Sequence, residues 1–362
     1  MRKLKKAILT GGGRATRLRP LTHTINKHLL PLANKPMIFY AIEKAVEAGV
    51  EEIFINTNPG EDQIKKVVGD GGHWGVSITY FEQEGGPQGI AHVVKCAQKF
   101  IGDEPFMFYL SDNIVLGSLR PLFANFEKNN VDCQLAFAKV PDPQRFGVPV
   151  FGPAGQLIDV VEKPAAPASD FAVTGIYLFG PKVFFDAFTR IKKSARGEYE
   201  IASIFSYFLK NNYKVGYSEV TGWWKDTGKP EDLIMANRLL LDEMSVEEFK
   251  IEGQADQGSF ITGKVQVGMG TTIDKSCRIE GPVIIGENCT LESCQILPYT
   301  TIGAGSIIKR ARISNSIFLN SGQIDCDLTI DASMVGANVS IIKNGGEGIH
   351  RVILGDNTLI QI

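Results

Sequence analysis

The sequence predicts an α/β domain, a mainly parallel sheet with helices on both faces, followed by a parallel β-helix of hexapeptide repeats. Three observations carry this. In the first 140 residues, apolar runs of strand length alternate with stretches of helical periodicity. The first of those runs breaks into three glycines, Gly11, Gly12 and Gly13. Beyond residue 258 the apolar period changes to six, which is neither the helix nor the strand period. A chain of 362 residues has room for two domains and a full core.

The elements follow in order. Apolar runs at 7–9, 53–55, 76–81, 106–110 and 134–140 read as strands. Between them, residues 36–48 place Ile38, Ala41, Ile42, Ala45 and Val46 at helical spacing, with Gly49 as the C-cap. Residues 90–100 repeat the pattern with Ala91, Val94 and Ala97. Strand, helix, strand at this spacing implies parallel pairing, and ligands then sit beyond the C-terminal strand ends. The glycine loop and Asp112 each follow a strand directly, so both are expected to open onto that edge. From 144 to 244, strand-like runs at 148–151, 157–161, 173–179 and 215–219 alternate with helical ones at 183–191, 201–210 and 233–244. Residues 1–244 are read as one domain, 245–258 as a polar linker, and 259–362 as the β-helix. In that last part Val267, Ile273, Ile279, Ile285, Leu291 and Leu297 fall at six-residue steps, slip by one to Ile302 and resume at Ile308, with Ile324 and Ile330 keeping the step. Gly268, Gly286, Asn288, Gly303 and Gly305 are placed at the corners.

Bulk properties exclude several classes. A net charge of −2 with 22% charged residues gives no basic excess for nucleic acid and no acidic tail. The basic leader is followed by an apolar run too short for a signal-peptide core, and no stretch approaches a membrane span. Cys96, Cys133, Cys277, Cys289, Cys294 and Cys326 form no C-x-x-C pair, so reduced buried thiols and a cytoplasmic location are expected.

The chemistry-bearing stretch is Gly11 to Pro31. Glycines let backbone N–H groups approach phosphate oxygens, and Arg14, Arg17 and Arg19 follow them. The loop lacks the G-x-G-x-x-G spacing of a dinucleotide site and the G-K-[ST] of a P-loop. With Lys27-His28-Leu29-Leu30-Pro31, Tyr109-Leu110-Ser111-Asp112-Asn113 and Trp223-Trp224-Lys225-Asp226-Thr227-Gly228, it resembles the sugar nucleotidylyltransferases, in the long form that uses thymidine triphosphate and glucose 1-phosphate. The resemblance covers nearly the whole chain. It implies a Rossmann-like nucleotidyltransferase domain followed by a β-helix wound left-handed, and a homo-oligomer.

Further residues are assigned by the same resemblance. Asp112 and Asp226 would bind one Mg2+, and Arg17 and Lys27 would supply the phosphate cations. Gly12, Ala15 and Thr16 would form the cradle, with His28 beside Lys27. Gln83 and Gly89 match the base site; a Gln amide both donates to and accepts from the thymine or uracil edge, and guanine suits the same pair of groups. Asn113, Gly147, Glu162, Lys163, Val173 and Arg196 match the sugar-phosphate positions, with Glu198 beside Arg196. The implied substrates are dTTP (or UTP) and glucose 1-phosphate, with no nucleic acid or membrane partner. The sequence departs from the family at Gly11, Ala15, His28, Ser111 and Ala202-Ser203. Ala15, where the family has glycine, puts a Cβ at an expected positive φ where backbone should meet phosphate, which keeps open a non-catalytic nucleotide-sugar-binding homologue beside UTP- or GTP-using enzymes. Acyltransferase chemistry on the β-helix would need a histidine, and only His350 lies beyond residue 100.

Overall fold

The computed structural model describes residues 3–13 and 15–342, and beyond these the strand backbones Ile349–His350, Ile353–Leu354 and Leu359–Ile360. Arg14 and the side chain of His350 lie outside the described residues. Two compact units form, one from Met1–Gly13 with Ile38–Asp226 and the other from Arg14–Met37 with Thr227–Ile362.

The first unit is built on β1 (Lys6–Thr10), β2 (Glu52–Thr57), β3 (Ser77–Glu82), β4 (Phe106–Tyr109), β5 (Asn113–Val115), β6 (Cys133–Lys139), β7 (Gly147–Phe151), β8 (Leu157–Glu162), β9 (Phe171–Phe179), β10 (Val215–Glu219) and β11 (Trp224–Asp226). Seven of these form one sheet in the order β10-β6-β9-β4-β1-β2-β3. All its pairings are parallel except those of β9, which runs antiparallel to both neighbours. The short runs 7–9 and 53–55 become strands because both faces are covered. Ile8, Phe54, Phe106 and Phe108 share one core cluster with the helices Ile90–Cys96 and Ile201–Lys210. Their neighbours Ala7, Leu9, Ile53, Ile55 and Met107 face the other way and are equally buried. This is the mixed, mainly parallel sheet the sequence predicts.

Local boundaries differ in physically legible ways. The helix read at 90–100 is two pieces, Ile90–Cys96 and Gln98–Ile101, divided at Ala97. The helix read at 36–48 spans Met37–Glu47, and Gly49 ends it at φ 99, where a Cβ would be strained. β5 and β11 carry no periodic signal because each is three residues long; neither was expected as a strand.

The second unit contains the repeats. Its strands stack in three parallel sheets of seven, six and six among the described residues. Ladder positions are filled by Ile273, Leu291, Ile308, Ile324 and Ile341 on one side and by Ile279, Ile296, Ile313 and Ile330 on the next. These are the ladders of the parallel β-helix expected, and they are consistent with the left-handed coil of this family. One placement is corrected. Ile296, fully buried, occupies the rung assigned to Leu297, which is only half-buried. The slip therefore falls between Leu291 and Ile296. Successive turns between the Ile273 and Ile341 rungs take 18, 17, 16 and 17 residues, so strict six-residue steps end after the first. Gly268, Gly286 and Gly303 stack at one corner, where a Cβ on Gly286 would lie 2.6 Å from the Ala304 nitrogen. The first coil strand, Gln254–Ala255, lies inside the 245–258 stretch.

Candidate active site

β1, β2 and β3 end side by side, and their C-terminal ends line a cavity of about 300 Å³. Thr10, Gly12, Gly13, Asn56, Asn58 and Gln83 lie on this side of it. The glycine loop is strapped to the neighbouring strand end: Gly11 N–H donates to Asn56 Oδ1 at 3.1 Å, and Gly13 N–H to Asn58 Oδ1 at 2.8 Å. Glycine is required on steric grounds at Gly12, where a Cβ would sit 2.7 Å from Asn56 Nδ2, and on backbone grounds at Gly13, whose φ is 121. Asn56 and Asn58 were missed at the sequence level. The signal was present in Asn58-Pro59-Gly60, a turn directly after a strand.

Gln83, just past β3, also faces the cavity, its Nε2 3.3 Å from the Gly89 carbonyl oxygen and 3.1 Å from His92 Nδ1. Gly89 has φ 96, and a Cβ there would meet Tyr199 O at 2.6 Å. The opposite wall is Glu162, Lys163, Arg196, Glu198 and Glu200. Gly147 pairs with Glu162 across β7 and β8, and Val173 stands within 3.6 Å of a Cβ built on Gly147. Arg196 clamps Glu200 through Nε at 3.1 Å and Nη2 at 2.8 Å, and lies 3.8 Å from Glu162. The Glu200 hydrogen bond raises the Arg196 pKa, keeping the guanidinium charged. Lys163, at φ 45, contacts Glu162 Oε1 at 3.3 Å. Cations and carboxylates thus alternate on this wall, a chemistry suited to a phosphate beside hydroxyl groups.

Asp112 and Asp226 are separated by more than a hundred residues and are brought together by β5 and β11. Asp226 pairs with Asn113 in their antiparallel register, one position from Asp112. Asn113 Nδ2 donates to Asp112 Oδ1 at 2.8 Å, and Trp224 Nε1–H donates to Asn113 Oδ1 at 2.9 Å and to Thr174 O at 3.0 Å. Tyr109 Oη–H reaches Asn113 O at 2.8 Å; burial, with the Asp112 charge nearby, holds that phenol protonated well above its usual range. Ser111, at the family's glycine position, is fully buried, and its Oγ has no hydrogen-bond partner. Among the described residues no group of three or more His, Cys, Asp or Glu could hold a metal. Two carboxylates suit a hard divalent cation that takes its remaining ligands from waters and substrate phosphate oxygens.

The remaining predicted residues belong to the second unit. Ala15 precedes the turn Thr16–Leu18 in the left-handed region, φ 43 and ψ 40, confirming the suspected positive φ. Its carbonyl accepts from Thr22 Oγ1 at 2.8 Å. Thr16 and Arg17 are exposed, and Lys27 and His28 open the turn Lys27–Leu29. His28 is buried with its Nδ1 3.0 Å from Asn26 Oδ1.

Comparison with known proteins gives the family. The nucleotidyl transferase family model matches residues 6–243. A glucose-1-phosphate thymidylyltransferase of Streptomyces griseus is 35% identical over 359 residues, covering 99% of each chain. The low-salt glycan biosynthesis nucleotidyltransferase Agl11 of Haloferax volcanii is 36% identical over 361 residues, 99% of this chain and 100% of its own. A crystal structure described as a glucose-1-phosphate thymidylyltransferase of Bacillus anthracis, in complex with sucrose, superposes with a TM-score of 0.62 at 36% identity, covering 67% of this chain and 96% of that one. The chain belongs to the nucleotidyl transferase family, among the homologues of glucose-1-phosphate thymidylyltransferase.

Proposed function

We propose that the protein transfers a thymidylyl group from dTTP to glucose 1-phosphate, giving dTDP-glucose and pyrophosphate. The observation that carries this is the pairing of β5 with β11, which sets Asp226 beside Asp112 and Asn113. A phosphate oxygen of the sugar attacks the α-phosphorus; one P–O bond forms and the α–β anhydride bond breaks, the electron pair leaving with pyrophosphate. Positioning and charge neutralisation suffice, and no covalent enzyme intermediate is needed. Asp112 and Asp226 would hold Mg2+, which supplies Lewis-acid neutralisation of the phosphate oxygens when bound.

Each other residue then has a task. Gly12, Ala15 and Thr16 cradle the triphosphate, with His28 alongside, and Arg17 and Lys27 neutralise its phosphates. Gln83 and Gly89 take the base. Asn113, Gly147, Glu162, Lys163, Val173 and Arg196 take the sugar phosphate, Glu162 accepting from hydroxyls and Lys163 holding the phosphate. Residues 1–244 carry catalysis, and the coil serves assembly as a homo-oligomer in the cytoplasm. No helix among the described residues is long and apolar enough to cross a membrane.

The test is pyrophosphate release from a panel of nucleoside triphosphates against several sugar 1-phosphates. Release from dTTP with glucose 1-phosphate, lowered by about 10²- to 10³-fold in Asp112→Asn, supports the reading. Release only from GTP with mannose 1-phosphate contradicts the specificity. No release with any pair favours a binding homologue.

A further inference from the structure

At the back of the cavity, the Gln83 amide is held by two acceptors. Its Nε2 lies 3.3 Å from the Gly89 carbonyl oxygen and 3.1 Å from His92 Nδ1. A backbone carbonyl only accepts, so the amino group must face Gly89, which fixes the amide orientation without reference to the histidine. The second amino hydrogen is then directed at His92 Nδ1, and that nitrogen must accept it. A neutral ring carrying its proton on Nε2 follows. An imidazolium would set N–H against N–H.

The surroundings of His92 favour the neutral ring. Burial lowers its pKa below the usual value, Lys193 lowers it further, and Glu84 opposes them. From its own helix Cys96 Sγ stands 3.8 Å from Nδ1, Tyr199 stacks at 6.1 Å, and the apolar Phe188 lies at 6.4 Å. Tyr199 is itself fixed to the Gln88–Ala91 turn by backbone bonds of 2.8 and 3.2 Å, so the ring's platform and the Gly89 carbonyl move together.

The geometry points to His92 as a positioning residue that turns Gln83 so that its carbonyl oxygen, Oε1, is the atom offered to the nucleobase. Bases that present an N–H at that edge (thymine, uracil, guanine) are accepted, and those that present a ring-nitrogen acceptor (cytosine, adenine) are rejected. The inference rests on the reading that Gln83 meets the base. Protonating His92 forces the amide either to lose its histidine partner or to rotate and give up Gly89. Both disturb Oε1, so discrimination weakens as pH falls through the lowered pKa of His92, below the ordinary histidine range, while turnover of bound substrate is unaffected.

The experiment measures dTTP and CTP binding by calorimetry between about pH 5.5 and pH 8, with kcat and KM, for the wild type, Gln83→Ala, His92→Leu and His92→Asn. The ratio of dTTP to CTP affinity is the readout, because proton uptake by the triphosphate cancels in it. The wild-type ratio is expected to fall about five- to tenfold on acidification, the worth of one neutral hydrogen bond. His92→Leu should show the low ratio at every pH, with raised KM for dTTP and kcat within about twofold. His92→Asn, whose Oδ1 accepts, should restore the neutral-pH ratio and abolish the step. A wild-type ratio flat with pH, or His92→Leu matching wild type while Gln83→Ala is weakened, overturns the coupling alone. Gln83→Ala binding dTTP as the wild type does overturns the base-site reading beneath it as well.

Discussion

Ala15 and Gly13 each have a positive φ, 43 and 121. A left-handed alanine stores about 1–2 kcal/mol. Replacing it with glycine relieves that strain but adds unfolded-state entropy of about 0.5–1 kcal/mol. Ala15→Gly should therefore gain no more than about 1.5 kcal/mol in urea unfolding, whereas Gly13→Ala should lose roughly 1–3 kcal/mol. Equal effects would show that the loop relaxes around either residue. The strain was legible in advance because a family glycine is alanine here. The buried, unpartnered Ser111 Oγ was not, since burial of a hydroxyl depends on the strands packed around it.

At the scale of elements, long periodic segments were readable and short paired ones were not. The runs around Ile8, Ile53 and Phe106 declare a doubly covered sheet through apolar content alone, and the glycine after 10 marks where its first strand ends. β5 and β11 have three residues each, too few for any period, and their pairing is set by Trp224 reaching Asn113 Oδ1 and Thr174 O. The coil gives the opposite lesson. Its period was plain, but an exact six-residue step picked Leu297 over its neighbour. Turn length, which varies by a residue from coil to coil, is governed by corner packing such as that at Gly286 and Gly303. Ile296→Ala should cost about 2–5 kcal/mol and Leu297→Ala less than about 1.5 kcal/mol. Thermal denaturation of the two variants checks the register, and the reverse order would restore Leu297 to the rung.

At the scale of the whole molecule, the segment carrying Arg17 and Lys27 belongs to the same unit as the coil. Asn237, on the helix Pro230–Glu243, makes the joint: its Oδ1 accepts from Ala33 N–H at 2.7 Å and its Nδ2 donates to Tyr299 O at 3.3 Å. Asn34 Nδ2 adds a bond to Ile302 O at 2.8 Å. A single asparagine at 1% exposure, buried to pair two backbone groups, leaves no trace in a periodicity scan. Asn237→Ala should cost about 1–3 kcal/mol through the groups it strands. Faster hydrogen exchange at the Ala33 amide would report the loss locally, and unchanged exchange would show that this joint is not what holds the hairpin of Pro31–Leu32 and Lys35–Pro36.

The convergence of Asp112 and Asp226 is open to one direct measurement, a double-mutant cycle on turnover with dTTP, glucose 1-phosphate and saturating Mg2+. If both carboxylates serve one cation, Asp112→Asn and Asp226→Asn each lower kcat by about 10²- to 10³-fold, and the double variant is scarcely worse than either single one. Losses that multiply, or a single variant that turns over like the wild type, would mean that the two side chains do not act on a common ion.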